Sequence, residues 1–210
     1  MEIKKIADKA LNFSINRFIE IIGLVFIIIG MLLLAALVSF SPDDPNFIFP
    51  ENTNINNFLG FRGSYTADLF FQSFGLIFFL IPFSFIFTGF NIFIYKNILL
   101  IIESIFYSLF YLLFGSLFFT LFYSNTFKLH INGNGGFIGN YLEKTFLGSL
   151  ININPQVFYY ILVLIVFALF LMSIQFKINS FYSLNKKLFN FLFKVSKKNY
   201  TKENEVINEF

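Results

Sequence analysis

Four long apolar segments constrain this chain more than any other feature of its sequence. They run from about 19 to 40, 69 to 95, 98 to 123 and 157 to 176. A helix needs about 20 apolar residues to cross a bilayer core of roughly 30 Å, and each segment is of that size or longer. A backbone in lipid must satisfy its own hydrogen bonds, so the segments predict helices. The expected fold class is all-α, an integral membrane protein with four transmembrane helices.

Composition agrees with lipid as the main solvent. Of the 210 residues, 57% are hydrophobic and only 13% are charged, whereas about a quarter of a soluble domain is charged. The net charge of +3 argues against nucleic-acid binding, which requires a dense basic face. The absence of cysteine excludes disulfides, thiolate chemistry and Cys-based metal sites.

The first apolar segment also follows basic residues, as a signal peptide would. However, its apolar stretch is too long for a signal sequence, and no small-x-small cleavage site precedes the turn at Ser41-Pro42. We therefore interpret it as a membrane span.

Basic residues predict how the spans are oriented. The arm before residue 19 and the tail after residue 176 are both rich in lysine, and the short connection between spans two and three contains Lys96. The other two loops together contain only Arg62, Lys128 and Lys144. Because cytoplasmic segments carry the excess of Lys and Arg, the pattern predicts that both chain ends lie in the cytoplasm.

Segments outside the spans show weaker patterns. We expect a cytoplasmic amphipathic arm at 1–18, a four-span domain at 19–176, a basic amphipathic interfacial helix at 177–198 and the start of a disordered linker or tail at 199–210. Another short amphipathic helix is expected in the outer loop, where the glycine-rich turn leads into a helix with one apolar face, formed by Phe137, Ile138, Tyr141, Leu142 and Thr145.

Span two contains a regular spacing of small and special residues. Asp68, Gly75, Pro82 and Gly89 are each seven residues apart, which places them on one face of a continuous helix. Glycine lets a neighbouring backbone come close, and Pro82 is expected to kink the helix near its middle. The spacing therefore predicts a helix-packing face.

Candidates for chemistry are few. Glu103 is the ionisable residue placed clearly inside a span, where it could bond to Asn91 or Tyr107 or reach back to the interface. His130 is the single histidine, and a metal site needs three or four ligands. The run 133–139 lacks the Lys and Ser/Thr of a phosphate-binding loop and follows no strand, so it predicts a turn.

Local motifs, taken in order, resemble the N-terminal membrane domain of the FtsK/SpoIIIE-type DNA translocases. Span one closes in Ala36-Leu37-Val38-Ser39-Phe40-Ser41-Pro42-Asp43-Asp44-Pro45, which is similar to the family pattern Ala-Leu-x-Ser-[Phe/Tyr]-x-Pro-x-Asp-Pro. Asn57, Gly60, Gly63, Ala67 and Asp68 match the run before span two, although Leu59 and Ser64 depart from it. Phe74, Gly75 and Pro82 match within span two, and Gly135, Gly136, Phe137, Ile138 and Gly139 match in the outer loop.

The resemblance covers roughly residues 23–176 and implies a function. It implies a multi-pass protein of the bacterial cytoplasmic membrane, enriched at the division septum, that anchors a DNA translocase and contacts other division proteins. A homo-oligomer, a hexamer, is implied as well. The chain has no phosphate-binding loop, so the ATPase and DNA-binding residues of the family cannot be placed on it, and this segment is expected to be neither an enzyme nor a direct binder of DNA.

The sequence also leaves other functions open. A small transporter or channel subunit is the alternative, based on Glu103 and on the Ser/Thr stripe of span three, at Ser104, Ser108, Ser116 and Thr120. An intramembrane enzyme would need a catalytic pair within the spans, and the sequence offers none. No catalytic, cofactor-binding or metal-ligating residue is predicted. The candidate packing or interaction residues are Pro42, Asp43, Pro45, Asn57, Gly60, Gly63, Asp68, Gly75, Pro82, Glu103, Gly135, Gly136 and Gly139.

Overall fold

The structure is a computed structural model that describes residues 2–45, 55–124 and 131–176, with side chains from residue 8 onward. Every regular element in these ranges is a helix. The helices belong to one compact unit, Met1–Gln175; of the second unit, Phe176–Phe210, only Phe176 is described. The predicted interfacial helix 177–198, the predicted tail 199–210 and His130 lie outside the described residues.

Seven α-helices and one 3₁₀ segment follow one another along the described parts of the chain. They are α1 (Glu2–Val38), α2 (Gly60–Phe74), the 3₁₀ segment Gly75–Phe79, α3 (Leu80–Tyr95), α4 (Leu100–Tyr123), α5 (Gly136–Glu143), α6 (Phe146–Ile153) and α7 (Pro155–Ser173). The end of the bundle where α5 and α6 lie is called the loop-helix end below.

Four helical stretches are long and apolar enough to cross a bilayer. They cover 8–38, 60–95, 100–123 and 155–173, so the predicted all-α fold with four spans is confirmed. The boundaries differ in ways that local chemistry explains. For example, α7 begins at Pro155 because the Asn154 side chain accepts a hydrogen bond from the Val157 N–H, and proline is favoured at the first helical position.

Helix α1 is much longer than a span requires. Its 37 residues extend for about 55 Å, against a bilayer core of roughly 30 Å. The predicted arm 1–18 is continuous with span one in this helix.

Span two is interrupted seven residues earlier than the sequence predicts. Gly75 adopts φ 74° and ψ −155°, a conformation available essentially to glycine alone, and the 3₁₀ segment follows it. Pro82, which was predicted to kink the helix, lies instead in the first turn of α3. Proline is tolerated in the first turn of a helix, and α3 continues from Pro82 to Tyr95 without a break.

The spans associate as two pairs. Helix α1 packs along α3, and α4 packs along α7. At the loop-helix end, α2, the 3₁₀ segment and α5 join the pairs. A core of buried side chains, including Leu37, Phe71, Ile77 and Tyr111, lies between them.

Candidate functional site

The turn after α1 is held by a buried carboxylate. Asp44 is only 3% exposed, and its two oxygens accept hydrogen bonds from the backbone N–H groups of Asn56 (2.9 Å) and Asn57 (3.0 Å). The turn itself is closed by the Asp44 N–H bonding to the Ser41 carbonyl at 3.2 Å. Asp44 therefore ties the end of α1 to the segment that begins α2.

The neighbouring candidates divide between core and surface. Pro45 is buried, and its carbonyl accepts a hydrogen bond from the Ser64 hydroxyl at 2.9 Å. Pro42 and Asp43 are exposed. Asp43 was the candidate predicted from the sequence, whereas Asp44 is the residue whose carboxylate is buried. Both are acids in one turn, so composition does not distinguish them; the family pattern, which places its Asp at position 44, does.

Asn57 completes this connection, which we call the first-loop clamp (Asp44, Asn57 and Ser64). Its side-chain amide donates to the Ala36 carbonyl in α1 at 2.8 Å, and its side-chain oxygen accepts from the Leu59 N–H at 3.1 Å. Gly63 leaves the room that Asn57 needs, since a Cβ there would lie 3.0 Å from the Asn57 Cγ. The matching Gly60 has φ 63° and open space around it, so it serves the turn rather than packing.

A second junction forms where the glycine-rich run meets the break in span two; we call it the glycine dock (Gly75, Asn134, Gly135, Gly136 and Gly139). The Leu76 N–H, freed by the break, donates to the Asn134 carbonyl at 2.9 Å. A Cβ on Gly75 would collide with that carbonyl, and a Cβ on Gly136 would lie 2.6 Å from the Gly75 nitrogen. The backbones of these two segments therefore touch at glycines, where no side chain keeps them apart.

The same run packs against the small residues of α4. A Cβ on Gly135 or Gly139 would meet the Ser116 carbonyl and the Thr120 hydroxyl, and the Ser116 hydroxyl donates to the Phe74 carbonyl at 2.7 Å. The orphaned carbonyl at the end of α2 is thereby satisfied. Three elements meet at this point without a bulky side chain between them.

Asp68 belongs to a polar chain beside the dock. Its carboxylate accepts a hydrogen bond from the Gln72 side chain at 3.3 Å. Gln72 also accepts from the Asn132 N–H at 3.3 Å, and the Asn140 side chain donates to the Asn132 carbonyl at 2.8 Å. The chain connects α2 to the loop before α5 and to α5 itself.

The predicted face of span two is divided by the break. Pro82 and Gly89 face α1, where a Cβ on Gly89 would lie 2.6 Å from the Gly23 carbonyl and a Cβ on Gly30 would lie 2.9 Å from the Pro82 carbonyl. Gly75, as described above, contacts the glycine-rich run instead. The expectation of one continuous face was wrong, because seven-residue spacing fixes a face only where the helix is unbroken.

From the middle of the spans toward the opposite end, six buried hydroxyl groups join α3, α4 and α7. We call them the hydroxyl cluster: Ser84, Thr88, Ser104, Ser108, Tyr111 and Ser173. Ser173 is central, because its hydroxyl donates to Ser84 at 3.0 Å and shares a hydrogen bond with Ser108 at 2.9 Å. Thr88 donates to Ser104 at 2.8 Å. Such bonds hold helices together in lipid.

Glu103 does not join this cluster. It is exposed, in the first turn of α4, where a negative charge is favoured by the helix dipole. Asn91, one of its two predicted partners, instead donates to the Ile174 carbonyl at 3.0 Å and to the Gln175 side chain at 3.1 Å.

An ion pair that was not predicted from the sequence lies at the end of the bundle where α3 ends and α4 begins. Glu20 of α1 lies 2.8 Å from the Lys96 ammonium, after α3, and 2.5 Å from the Arg17 guanidinium. Lys96 adopts a left-handed conformation, φ 54°, as residues that end helices often do. Glu20 lies one residue inside the predicted first span, and Lys96 lies at the predicted cytoplasmic edge of the spans. Because both are expected at the same depth in the membrane, the pair could have been predicted from the sequence.

The sequence that forms these junctions can be compared with those of known proteins. The family described as the 4TM region of DNA translocase FtsK/SpoIIIE matches residues 16–183. The chain belongs to this family. It is therefore a multi-pass membrane protein, the membrane region of a translocase of the FtsK/SpoIIIE type.

Two relatives both have the name DNA translocase FtsK. The chain is 35% identical over 82 residues to the protein of Rickettsia bellii (strain RML369-C), which is 38% of this chain and 11% of that protein. It is 38% identical over 55 residues to the protein of Rickettsia typhi (strain ATCC VR-144 / Wilmington), which is 26% of this chain and 7% of that protein. The chain thus spans about a tenth or less of these relatives. No solved structure gives a significant match.

The FtsK/SpoIIIE motifs converge on two places in the fold. The motif after span one and the motif before span two meet in the first-loop clamp. The Phe-Gly pair of span two and the glycine-rich outer motif meet in the glycine dock. Pro42, Asp43, Pro82 and Glu103 belong to neither junction.

Proposed function

We propose that this chain anchors a DNA translocase in the bacterial cytoplasmic membrane and places it at the division septum. Membership of the FtsK/SpoIIIE membrane-region family supports the proposal, and so does the name of the two relatives. DNA movement is assigned to a motor domain that residues 1–210 do not contain.

The observation that carries the proposal is that the motif residues form hydrogen bonds and close contacts within the protein. In the first-loop clamp and the glycine dock, backbone and small polar groups bond to each other across loops and spans. Such bonding favours a rigid scaffold over a moving catalytic site. A rigid membrane scaffold suits the attachment of a motor and the presentation of fixed surfaces.

The partners follow from the same proposal. They are the lipid bilayer, other division proteins at the septum, and further copies of the chain in a hexamer. We propose no direct contact of this segment with nucleic acid, because the net charge of +3 is small for a chain that binds nucleic acid.

A fluorescent fusion tests the septal assignment. We expect residues 1–210, fused to a fluorescent protein in a dividing bacterium, to form a band at midcell. A four-span membrane protein of another family, fused in the same way, is the control for an even envelope signal. If both fusions are spread evenly, the chain does not target the septum.

The link to a motor has a separate test in the genome. We expect the reading frame after the Phe210 codon to continue through a polar linker to a G-x-x-x-x-G-K-[ST] motif. A stop codon there, with no such motor gene nearby, would contradict the anchor proposal.

A small transporter or channel subunit is the alternative function, with less support than the anchor. It drew on Glu103 and on the Ser/Thr stripe of α4, and the stripe is buried while Glu103 is exposed. A loss of ion flux from liposomes on changing Glu103→Gln would favour the transporter over the anchor.

A further inference from the structure

Two separate cavities follow one another along α4 and α7, one apolar and one with polar groups, and we treat them together as a groove. Its lower part is a cavity of about 470 Å³ between the 3₁₀ segment, α4 and α7, lined by residues that include Leu76, Phe118, Val163 and Phe167. All of its lining side chains are apolar, and all belong to the spans. Within a bilayer, hydrocarbon is the medium that meets such a lining.

The upper part of the groove is polar and aromatic. A second cavity of about 530 Å³ lies at the loop-helix end, lined by Phe122, Pro155, Gln156, Tyr159 and Tyr160. The Tyr159 hydroxyl shares a hydrogen bond with Tyr123 at 2.9 Å. Amide, hydroxyl and aromatic groups are suited to the interface between water and hydrocarbon.

The two cavities lie along the same helix faces. On α7, Gln156, Tyr160, Val163 and Phe167 follow one another at spacings of four, three and four residues, which keeps them on one face. At the junction, the rings of Phe118 and Tyr159 are 5.3 Å apart. The groove therefore runs from a polar mouth into an apolar interior, the same order as headgroup and acyl chain.

Volume distinguishes a lipid chain from a partner helix. A methylene is close in size to a water molecule, whose share of liquid volume is about 30 Å³. The lower cavity thus accommodates roughly 15 methylenes, the scale of one acyl chain. One turn of a helix with its side chains occupies on the order of 400–600 Å³, so a partner helix could place little more than a turn there.

We propose that this groove binds one phosphatidylethanolamine molecule, with an acyl chain in the lower cavity and the headgroup at Gln156, Tyr159 and Tyr160. Aromatic faces attract ammonium groups. The described lining of the mouth contains no Lys or Arg to bind an anionic headgroup. With the chain ends in the cytoplasm, as proposed from the basic residues, the lipid belongs to the outer leaflet.

The absence of tryptophan from the chain makes a direct test possible. Phe167→Trp places a single fluorophore, the groove tryptophan, in the lining. Leu164→Trp, on the same helix but outside the lining, supplies the matched control tryptophan; the two native side chains are 58% and 66% exposed. Their depths differ by about 5 Å. Each variant of the full chain is reconstituted in phosphatidylglycerol bilayers containing a minor fraction of acyl-brominated phosphatidylethanolamine, and in the reverse mixture.

We expect brominated phosphatidylethanolamine to quench the groove tryptophan with an association constant roughly three-fold higher than for the control tryptophan, the size of effect that one exposed cation–π contact gives. In the reverse mixture the groove tryptophan should be quenched less than the control tryptophan. Tyr160→Leu in the Phe167→Trp background should abolish the difference, while Tyr160→Phe should retain it.

Three results would overturn the proposal. Equal quenching of both fluorophores in both mixtures means that ordinary bilayer lipid fills the groove. A groove tryptophan shielded from both brominated lipids means that protein covers it. A preference for brominated phosphatidylglycerol means that the headgroup assignment is wrong. Circular dichroism of each variant identifies any that fails to fold. If Leu164→Trp fails, the Tyr160→Phe and Tyr160→Leu pair in the Phe167→Trp background supplies the comparison.

Discussion

Asp43 and Asp44 are adjacent acids with opposite environments. Asp43 is exposed, whereas Asp44 is buried and accepts hydrogen bonds from two backbone N–H groups. A carboxylate that satisfies two donors can fix the path of a loop, because removing it leaves both donors without a partner. The contrast gives a prediction at the scale of one residue.

We predict that Asp44→Ala lowers the free energy of unfolding by about 3 kcal/mol, since hydrogen bonds to charged groups contribute roughly 1.5–3 kcal/mol each and are not additive. Asp43→Ala is the matched control and should change it by less than about 0.5 kcal/mol, as surface substitutions do. Thermal unfolding in detergent micelles measures both. Equal midpoints for the two variants would show that the first-loop clamp does not stabilise the fold.

Gly75 combines a backbone conformation with a steric requirement, and a comparison with Gly133 separates them. Both have positive φ, 74° and 71°. However, a Cβ on Gly75 would collide with the Asn134 carbonyl, while a Cβ on Gly133 would meet nothing within 4 Å. Of this pair, only Gly75 lies at a contact between two backbones.

We predict that Gly75→Ala destabilises the protein by more than about 3 kcal/mol, the upper range for a strained backbone alone, because the glycine dock must also open. Gly133→Ala should cost about 1–2 kcal/mol, the usual cost of a left-handed residue with a Cβ. The check is the unfolding midpoint of each variant in micelles. Similar losses for both would mean that the dock contributes nothing beyond backbone strain.

At the scale of elements, small and polar residues make the closest contacts between the helices, beside the apolar core. Lipid is as apolar as leucine, so burying leucine between helices gains little in a membrane. Close backbone contacts and interhelical hydrogen bonds still hold helices together in a membrane. Gly23 against Gly89 gives the first for α1 and α3, and the hydroxyl cluster gives the second for α3, α4 and α7.

We predict that Ser173→Ala lowers stability by about 1–1.7 kcal/mol, at the upper end of what interhelical hydrogen bonds contribute in membranes, since Ser173 contacts several other hydroxyls of the cluster. Ser149→Ala is the control: Ser149 is exposed and bonds to carbonyls one turn earlier in the chain. It should have almost no effect. The unfolding midpoint of each variant in micelles tests this prediction. A Ser173→Ala variant as stable as the control would contradict a stabilising role for the hydroxyl cluster.

For the whole molecule, orientation is the property that the positions of the basic residues predict. Asn97 follows α3, and Glu143 ends α5 at the loop-helix end; both are exposed. Because the chain has no cysteine, single cysteines at these positions report their side of the membrane without background.

We predict that Glu143→Cys reacts with a membrane-impermeant maleimide in intact spheroplasts. Asn97→Cys should react only after the membrane is permeabilised, since Lys96 and the lysine-rich ends are expected in the cytoplasm. The reverse pattern of labelling would invert the orientation and would move the proposed lipid site to the inner leaflet.

The sequence by itself determined the number of spans and their approximate limits. These follow from hydropathy and length, which depend on local composition and on the thickness of the bilayer. Motif order was also sufficient to indicate the family, because it needs no knowledge of contacts. The glycines at positions 75, 135, 136 and 139 could be selected from the sequence, but their contact with one another could not be predicted from it.

Tertiary structure decided which of these residues act together. The break at Gly75 rather than Pro82 depends on a loop some 60 residues later that occupies the gap. The choice of Asp44 over Asp43 depends on the N–H groups of a distant segment, and the pairing of Glu20 with Lys96 depends on the packing of α1 against α3. Each is a contact between residues far apart in sequence, and such contacts leave no trace in local hydropathy or spacing.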